Sequence, residues 1–108
     1  MPIPQLDPSA AQALLEGLGP RGVLLDVREP SEHALVHVEG SRHIPMDQIP
    51  ERLGELDPAH TYVVMCHHGN RSQRVAQFLA SRGYLKVQNL AGGIDAWATA
   101  LDPGLPHY

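Results

Sequence analysis

The sequence is poor in several residue types, and each shortage excludes a class of protein. Cysteine occurs once, as Cys66, in 108 residues. One thiol can form neither an internal disulfide nor a cysteine-based zinc site. No apolar run approaches the roughly 20 residues of a membrane-spanning helix, so we expect no membrane partner. The opening residues Met1–Asp7 lack the basic and apolar segments of a secretory signal, and we therefore expect a cytoplasmic protein.

Basic residues are also scarce: 8 Lys and Arg stand against 12 Asp and Glu, for a net charge of −4. A chain with this balance has no general positive field to attract nucleic acid, which we do not expect as a partner. Hydrophobic residues, in contrast, make up 43% of the chain, which is enough to build a folded core. The length predicts a single domain over residues 1–108.

Apolar, β-branched runs alternate with amphipathic ones, which predicts an α/β fold around a mostly parallel sheet. Asp7 and Pro8 are typical of a helix N-cap and first helical residue. The predicted strands are 23–27, 42–44, 61–65 and 86–90. The first predicted helix begins at Pro8, and three more are predicted over 30–35, 48–53 and 72–82. A last predicted helix carries Trp97. Residues 101–108 are expected to be a C-terminal tail, extended from Asp102 onward.

Cys66 lies between the predicted strand 61–65 and a helix expected to begin near Ser72. Loops at the carboxyl ends of parallel strands form binding sites, and the first N–H groups of a helix have no partner inside it. If the loop curls around the sulfur, these N–H groups stabilise a thiolate and lower the thiol pKa from about 8.5 to about 3.5–7.5. Gly69 permits the positive φ of a tight loop, and Arg71 adds a fixed charge. The pattern therefore predicts an activated nucleophile.

Two other roles are open to Cys66. A lone cysteine after a strand is often a small buried hydrophobe, but its neighbours here are polar or charged. Cys66 could instead bind a metal ion together with His67 and His68. Adjacent histidines on a tight loop rarely face one centre, and the loop contains no Asp or Glu. We therefore expect neither a metal nor a cofactor.

Three ordered segments resemble a known family. The sequence CHHGNRS at 66–72 looks like the active-site loop of the rhodanese (sulfurtransferase) domain. LDVREP at 25–30, followed by Glu32, Gly40 and His43–Pro45, resembles the first segment of that family, and LAGGIDAW at 90–97 resembles its closing segment. The resemblance covers about residues 3–100.

The resemblance implies a rhodanese-like fold, with about five mostly parallel strands and helices on both faces. It also implies that Cys66 is the nucleophile, that it carries a persulfide during turnover, and that the loop amides bind this persulfide. The loop residues are His67, His68, Gly69, Asn70, Arg71 and Ser72. The chain departs from the family at His67 and His68, where members active on thiosulfate often carry arginine, lysine or serine. It departs again before Gly40, where residues 36–39 read VHVE instead of a segment with glycine, histidine and isoleucine. The two histidines are expected either to contact an anionic donor or simply to be exposed.

Asp26, Arg28 and Glu32 are candidate supporting residues, because they follow the predicted strand 23–27. We expect Asp26 or Glu32 to pair with Arg71 and hold the loop in shape. The alternative is a surface ion pair worth at most about 1 kcal/mol. The sequence leaves the choice between the two acids open.

Three functions compete on this sequence. The first is a thiosulfate sulfurtransferase, which moves a sulfane sulfur from a small anionic donor to cyanide or a thiol through a Cys66 persulfide. The second is a persulfide carrier that exchanges sulfur with a protein donor or acceptor and turns over small molecules slowly. The third is a phosphatase or arsenate reductase. It is opposed by the loop length, because the spacing from Cys66 to Arg71 is one residue shorter than cysteine phosphatases use to surround a tetrahedral oxyanion.

Overall fold

The computed structural model describes residues 2–108, which form a central sheet with helices packed on both faces. Within this range the strands are β1 (Gln5–Leu6), β2 (Gly22–Asp26), β3 (Arg42–His43), β4 (Thr61–Met65) and β5 (Val87–Leu90). The α-helices are α1 (Pro8–Leu18), α2 (Pro30–Leu35), α3 (Asn70–Ser81) and α4 (Gly93–Leu101). Short 3₁₀ helices occupy Gly19–Arg21, Met46–Gln48 and Leu53–Glu55.

The strands form one sheet in the order β1-β5-β4-β2-β3. Each pairing among these described strands is parallel. Parallel neighbours require crossover connections, and α1, α2 with the 3₁₀ turns, α3 and α4 occupy the connecting and flanking positions. The predicted α/β fold with a five-stranded, mostly parallel sheet is confirmed.

The central strand β4 builds a core on each face of the sheet, because alternate residues of a strand point to opposite sides. Tyr62 and Val64 belong to the core on the side of α3, and Val63 and Met65 belong to the core beneath α1 and α4. All five residues of β4 are buried. Cys66 therefore follows a strand that is buried along its whole length.

Local sequence chemistry accounts for several features of the fold. The side chain of Asp7 accepts a hydrogen bond from the backbone N–H of Ala10 at 2.8 Å, and Pro8 is the first residue of α1. Gly83 follows α3 with a φ of +92° and ends it. Trp97 is buried in the core beneath α4.

The structure differs from the predicted elements in a strand, a helix start and a helix. The strand β1 was not predicted; it forms because the carbonyl oxygens of Pro4 and Leu6 each accept a hydrogen bond from β5 or the residue after it, at 2.9 Å. Helix α3 begins at Asn70, two residues before the predicted start. The helix predicted over 48–53 is replaced by two 3₁₀ turns on either side of Pro50, whose missing N–H cannot continue a helix.

The segment 102–108 also differs from the extended tail that the sequence predicts. It turns at Asp102, whose carbonyl oxygen accepts a hydrogen bond from the N–H of Leu105 at 3.0 Å. Its last residues then return to the edge of the sheet where Cys66 lies. In the described part of the chain, no helix has the length and apolar character needed to cross a membrane.

Candidate active site

The site lies where β2, β4 and β5 end. Because parallel strands all run in one direction, their carboxyl ends bring Asp26, Cys66 and Leu90 to the same edge of the sheet. Cys66 follows β4, which is the middle strand of the five. The loop 66–69 then leads directly into α3.

The loop folds around the Cys66 sulfur. Gly69 precedes α3 with a φ of +110°, a conformation that side chains oppose, and its N–H donates to Cys66 Sγ at 3.0 Å. The backbone N–H groups of His68 and Ser72 are also directed at the sulfur. Cys66 itself is only 1% exposed. These amides form the concave cluster of donors that binds an anion.

Burial and hydrogen bonding act on the thiol in opposite directions. Burial raises the pKa of Cys66, because a buried thiolate loses its hydration. The hydroxyl and N–H of Ser72, with the amides of Gly69 and His68, outweigh this effect and hold the pKa below the ordinary value of a thiol. The site therefore favours the thiolate, which is the nucleophilic form of cysteine.

Two consecutive glycines allow α4 to approach the loop from below. The N–H of Ile94 donates to the carbonyl oxygen of Cys66 at 2.8 Å, and the N–H of Asp95 donates to that of His67 at 3.3 Å. A Cβ atom at Gly93 would overlap both carbonyl groups. The backbone at Gly93 has a φ of +62°. Glycine is therefore required there both by contact and by conformation.

A buried asparagine, Asn89 on β5, braces the loop from the side. Its amide nitrogen donates to the carbonyl oxygen of Gly69 at 3.1 Å and to Gln5 Oε1 at 2.8 Å. Its amide oxygen accepts from the Ser72 hydroxyl at 2.5 Å. A role for Asn89 is not predicted from the sequence. Its only signal was a polar residue, beside Gln88, in a short strand before the closing glycines.

Ser72 connects this asparagine to the sulfur. Its hydroxyl oxygen lies 3.3 Å from Cys66 Sγ. A hydroxyl has a single proton, so Ser72 donates to Asn89 or to the sulfur, not to both at once. With a thiol, the S–H donates to Ser72 and the Ser72 proton stays on Asn89. With a thiolate, the Ser72 proton turns to the sulfur, so the pair adapts to both states of Cys66.

The acid that pairs with Arg71 is Glu32, not Asp26. The guanidinium donates to Glu32 Oε1 at 2.6 Å and to Oε2 at 2.9 Å. The hydrogen bonds from Arg71 are the largest influence on Glu32 and lower the pKa of this carboxyl to about 2. Glu32 also accepts from the N–H of Glu29 and closes the capping box of α2. Arg71 is the second residue of α3 rather than the last loop residue, so this ion pair joins α2 to the helix that carries the loop.

Asp26 forms a separate, fully buried ion pair with Arg28. The guanidinium donates to Asp26 Oδ1 at 2.9 Å and to Oδ2 at 2.7 Å, and both side chains are 0% exposed. Arg28 also donates to the carbonyl oxygens of Val36 and Glu32, at 2.7 and 3.3 Å. This pair holds α2 and the chain that leaves it against the end of β2. The Asp26–Arg28 pair contacts Glu32 through the Glu32 carbonyl oxygen. Neither Asp26 nor Arg28 is hydrogen-bonded to Cys66.

The two histidines of the loop stack on each other above it. Their ring centroids lie 3.9 Å apart, with an interplanar angle of 18°. Burial, followed by the nearby His68, lowers the pKa of His67, so its ring is neutral at neutral pH. His68 is exposed, and its Nε2 lies 3.9 Å from Asp95. Within residues 2–108, no three side chains of His, Cys, Asp or Glu are grouped to hold a metal ion.

The geometry and the fold together define the class of protein. The chain belongs to the rhodanese-like domain family, whose model matches residues 7–100. Among its relatives, the thiosulfate sulfurtransferase GlpE of Pseudomonas fluorescens is 38% identical over 93 residues, which are 86% of this chain and 83% of that protein. The protein of the same name from Tolumonas auensis is 40% identical over 78 residues, 72% of this chain and 74% of that protein.

A solved structure agrees with these relatives. The crystal structure of a rhodanese-like domain protein from Staphylococcus aureus matches with a TM-score of 0.82 and 28% identity, over 98% of this chain and 99% of that one. The resemblance expected from the sequence is confirmed. The relatives support a sulfurtransferase of the rhodanese type.

Proposed function

We propose that the protein transfers a sulfane sulfur from thiosulfate, or a related small anionic donor, to cyanide or a thiol through a persulfide on Cys66. The observation that carries this proposal is the group of N–H donors from residues 68, 69 and 72 around one buried sulfur. Such a group stabilises negative charge on the thiolate before attack and on the outer sulfur afterwards. The relatives named thiosulfate sulfurtransferase support the same donor.

The first half-reaction starts from the Cys66 thiolate, which the hydrogen bonds of the loop stabilise by holding the thiol pKa below its ordinary value. Cys66 Sγ attacks the outer sulfur of thiosulfate, and a new S–S bond forms. The S–S bond of thiosulfate breaks, and sulfite leaves with its electron pair. In the second half-reaction the acceptor attacks the outer sulfur of the persulfide. Cyanide becomes thiocyanate, a thiolate becomes a persulfide, and Cys66 returns to its thiolate.

Loop length favours sulfur chemistry over phosphate chemistry. The donors converge on the Cys66 sulfur itself, and the shortened loop fits one added sulfur better than a tetrahedral oxyanion with three exposed oxygens. Arg71 is also held by both oxygens of Glu32 and is not directed at a phosphate position. We therefore place phosphatase or arsenate reductase activity below sulfur transfer.

Intact mass spectrometry tests the proposed function. Incubation with thiosulfate should add the mass of one sulfur atom to the protein, and cyanide should remove it. The matched control, Cys66→Ser, should gain nothing. In steady state, plots of reciprocal rate against reciprocal thiosulfate at several cyanide concentrations should be parallel, because sulfite leaves before cyanide reacts. Wild-type protein that gains no sulfur from thiosulfate would remove this donor from the proposal.

The second candidate, a persulfide carrier for protein partners, is favoured by the charge around the loop. His67 is neutral at neutral pH, and the positive charge of Arg71 is already paired with Glu32. A free thiosulfate dianion therefore meets little unpaired positive charge at these positions. Rapid loading from a persulfide-bearing protein, with slow turnover of thiosulfate, would favour the carrier. We propose a cytoplasmic location for both candidate functions, because a reducing compartment keeps the Cys66 thiol free of disulfide bonds to other molecules.

A further inference from the structure

The segment 102–108 returns to the active-site loop and is fastened at two points. His107 Nδ1 lies 2.6 Å from Asp95 Oδ1 near the start of α4, and the same carboxylate faces His68 on the loop. The second point is Tyr108, which contacts residues from three other parts of the site. No role for His107 or Tyr108 is predicted from the sequence.

The hydroxyl of Tyr108 joins the two ion pairs of the site. It donates to Glu32 Oε2 at 2.7 Å and accepts from Arg28 Nη1 at 3.0 Å. Glu32 holds Arg71, and Arg28 holds Asp26. The Tyr108 hydroxyl therefore connects the buried Asp26–Arg28 pair to the Glu32–Arg71 pair, across sequence separations of 76 and 80 residues.

The ring of Tyr108 holds the residue next to the nucleophile. Its centroid lies 3.9 Å from that of His67, with the rings 12° from parallel. Since His68 stacks on His67 as well, the His67 ring lies in a stack of three. A ring packed between two others has few rotamers available, so Tyr108 limits the motion of the loop at its second residue.

We propose that Tyr108 is a positioning residue for sulfur transfer at Cys66. Its hydroxyl fixes the Glu32–Arg71 ion pair, and its ring fixes His67. This proposal deepens the proposed function and rests on it.

The effect reaches the sulfur through α3 and the loop. Arg71 interacts electrostatically with Cys66, and Ser72, the next residue, supplies both an N–H and a hydroxyl to the sulfur. Without the Tyr108 hydroxyl, Glu32 loses one of its donors and Arg28 Nη1 loses an acceptor. The ion pair can then move, and the first turn of α3 moves with it. Without the ring, His67 is stacked on one face only.

Two variants separate the hydroxyl from the ring. Tyr108→Phe keeps the stack and removes the link between the ion pairs, whereas Tyr108→Ala removes both. The matched control is Tyr84→Phe. The Tyr84 hydroxyl lies 3.0 and 2.9 Å from the carbonyl oxygens of Leu53 and Leu56 and shares its one proton between them. It precedes β5 and so lies at the opposite edge of the sheet. Its loss therefore reports the effect of removing a structural hydroxyl.

The measurement is the rate of Cys66 alkylation by iodoacetamide as a function of pH, alongside kcat and KM for thiosulfate. In Tyr108→Phe the alkylation midpoint should move to higher pH by about half a unit, and the rate at a fixed pH well below the midpoint should fall about threefold, since half a pH unit corresponds to that factor. In Tyr108→Ala the fall should be about tenfold. In both variants kcat should fall with the thiolate fraction. In Tyr84→Phe the midpoint should match wild type, whatever the change in Tm.

Alkylation profiles of both Tyr108 variants that coincide with wild type would overturn the proposal. So would a shift of equal size in Tyr84→Phe, because the effect would then follow general stability. Alkylation requires no sulfur donor, so the result is readable even if thiosulfate fails to load wild-type protein. In that case the proposed function falls, and a shifted midpoint would still show that Tyr108 positions the Cys66 site.

Discussion

The Glu32–Arg71 ion pair gives the most quantitative prediction. A carboxyl whose pKa falls from 4.5 to about 2 on folding stabilises the folded state by about 3 kcal/mol when it is ionised. The Arg71 side chain is 31% exposed, and water screens part of this interaction. We therefore expect Glu32→Gln, which keeps the shape but removes the charge, to lower the free energy of unfolding by about 2 kcal/mol at neutral pH.

The pH dependence of this loss identifies its origin. The folded pKa of Glu32 lies below the unfolded value, so the stabilisation is fully present above about pH 4.5 and disappears as the pH falls toward about 2. The difference between Glu32→Gln and wild type should therefore shrink to less than half at about pH 3. Urea denaturation at a series of pH values, with an unchanged slope, measures the difference directly.

The chain offers a matched control in Glu55, which pairs with Arg42 and Arg52 on an exposed surface. Because water screens exposed pairs, Glu55→Gln should change stability much less than Glu32→Gln does. A Glu32→Gln loss that stays the same from neutral to acid pH would refute the electrostatic explanation. It would then reflect the capping hydrogen bond that Glu32 makes with Glu29.

Three further predictions concern the loop. Cys66→Ala should abolish persulfide formation and leave Tm within a few degrees of wild type, because the change removes one atom at the end of a strand; a large fall in Tm would make the thiol mainly a packing group. Arg71→Ala should raise the pKa of Cys66, seen as a shift of the thiolate absorbance to higher pH. Arg71→Lys should restore only part of the lowered pKa, because an ammonium cannot bind both oxygens of Glu32. Identical titrations of Arg71→Ala and wild type would assign the low pKa to the amides alone. Gly93→Ala should displace the loop and destabilise the protein by more than about 1 kcal/mol. In contrast Gly17 has open space around it, and Gly17→Ala should stabilise α1 by up to about 1 kcal/mol. Equal Tm values for the two variants would contradict the close approach of α4 to the loop.

Local chemistry explains what the sequence predicted well. The N-cap at Asp7, the buried run of β4 and the positive φ at Gly69 each depend on a few neighbouring residues, and such signals are visible in one dimension. The helix predicted over 48–53 was wrong because Pro50 lacks the N–H that a continuous helix through this segment needs. The strand β1 was missed because two residues next to a proline carry no periodicity of their own.

Long-range hydrogen bonds explain what the sequence could not predict. The choice of Glu32 over Asp26 as the partner of Arg71 depends on where α2 lies relative to α3, 39 residues away in the chain. Asn89 supports the loop across 20 residues, and Tyr108 does so across 76 and 80. The sequence around Asn89 and Tyr108 does not show which residues they contact, and for Arg71 it leaves two acids open. Only the assembled sheet brings them together.

The residues that hydrogen-bond to Cys66 or brace its loop come from elements far apart in the chain. The reactivity of Cys66 is therefore a property of the native state. In an unfolded or partly synthesised chain β5 and α4 have not yet joined β4, and the cysteine is an ordinary thiol with a pKa of about 8.5. By linkage, the lower folded pKa adds stability that grows as the pH rises and is complete above about 8.5. A nascent chain therefore carries a thiol that is mostly protonated and slow to react with oxidants or electrophiles at neutral pH. The pKa of Cys66 therefore falls as the chain folds, and the pH midpoint of Cys66 alkylation should lie lower in the native protein than in the denatured protein.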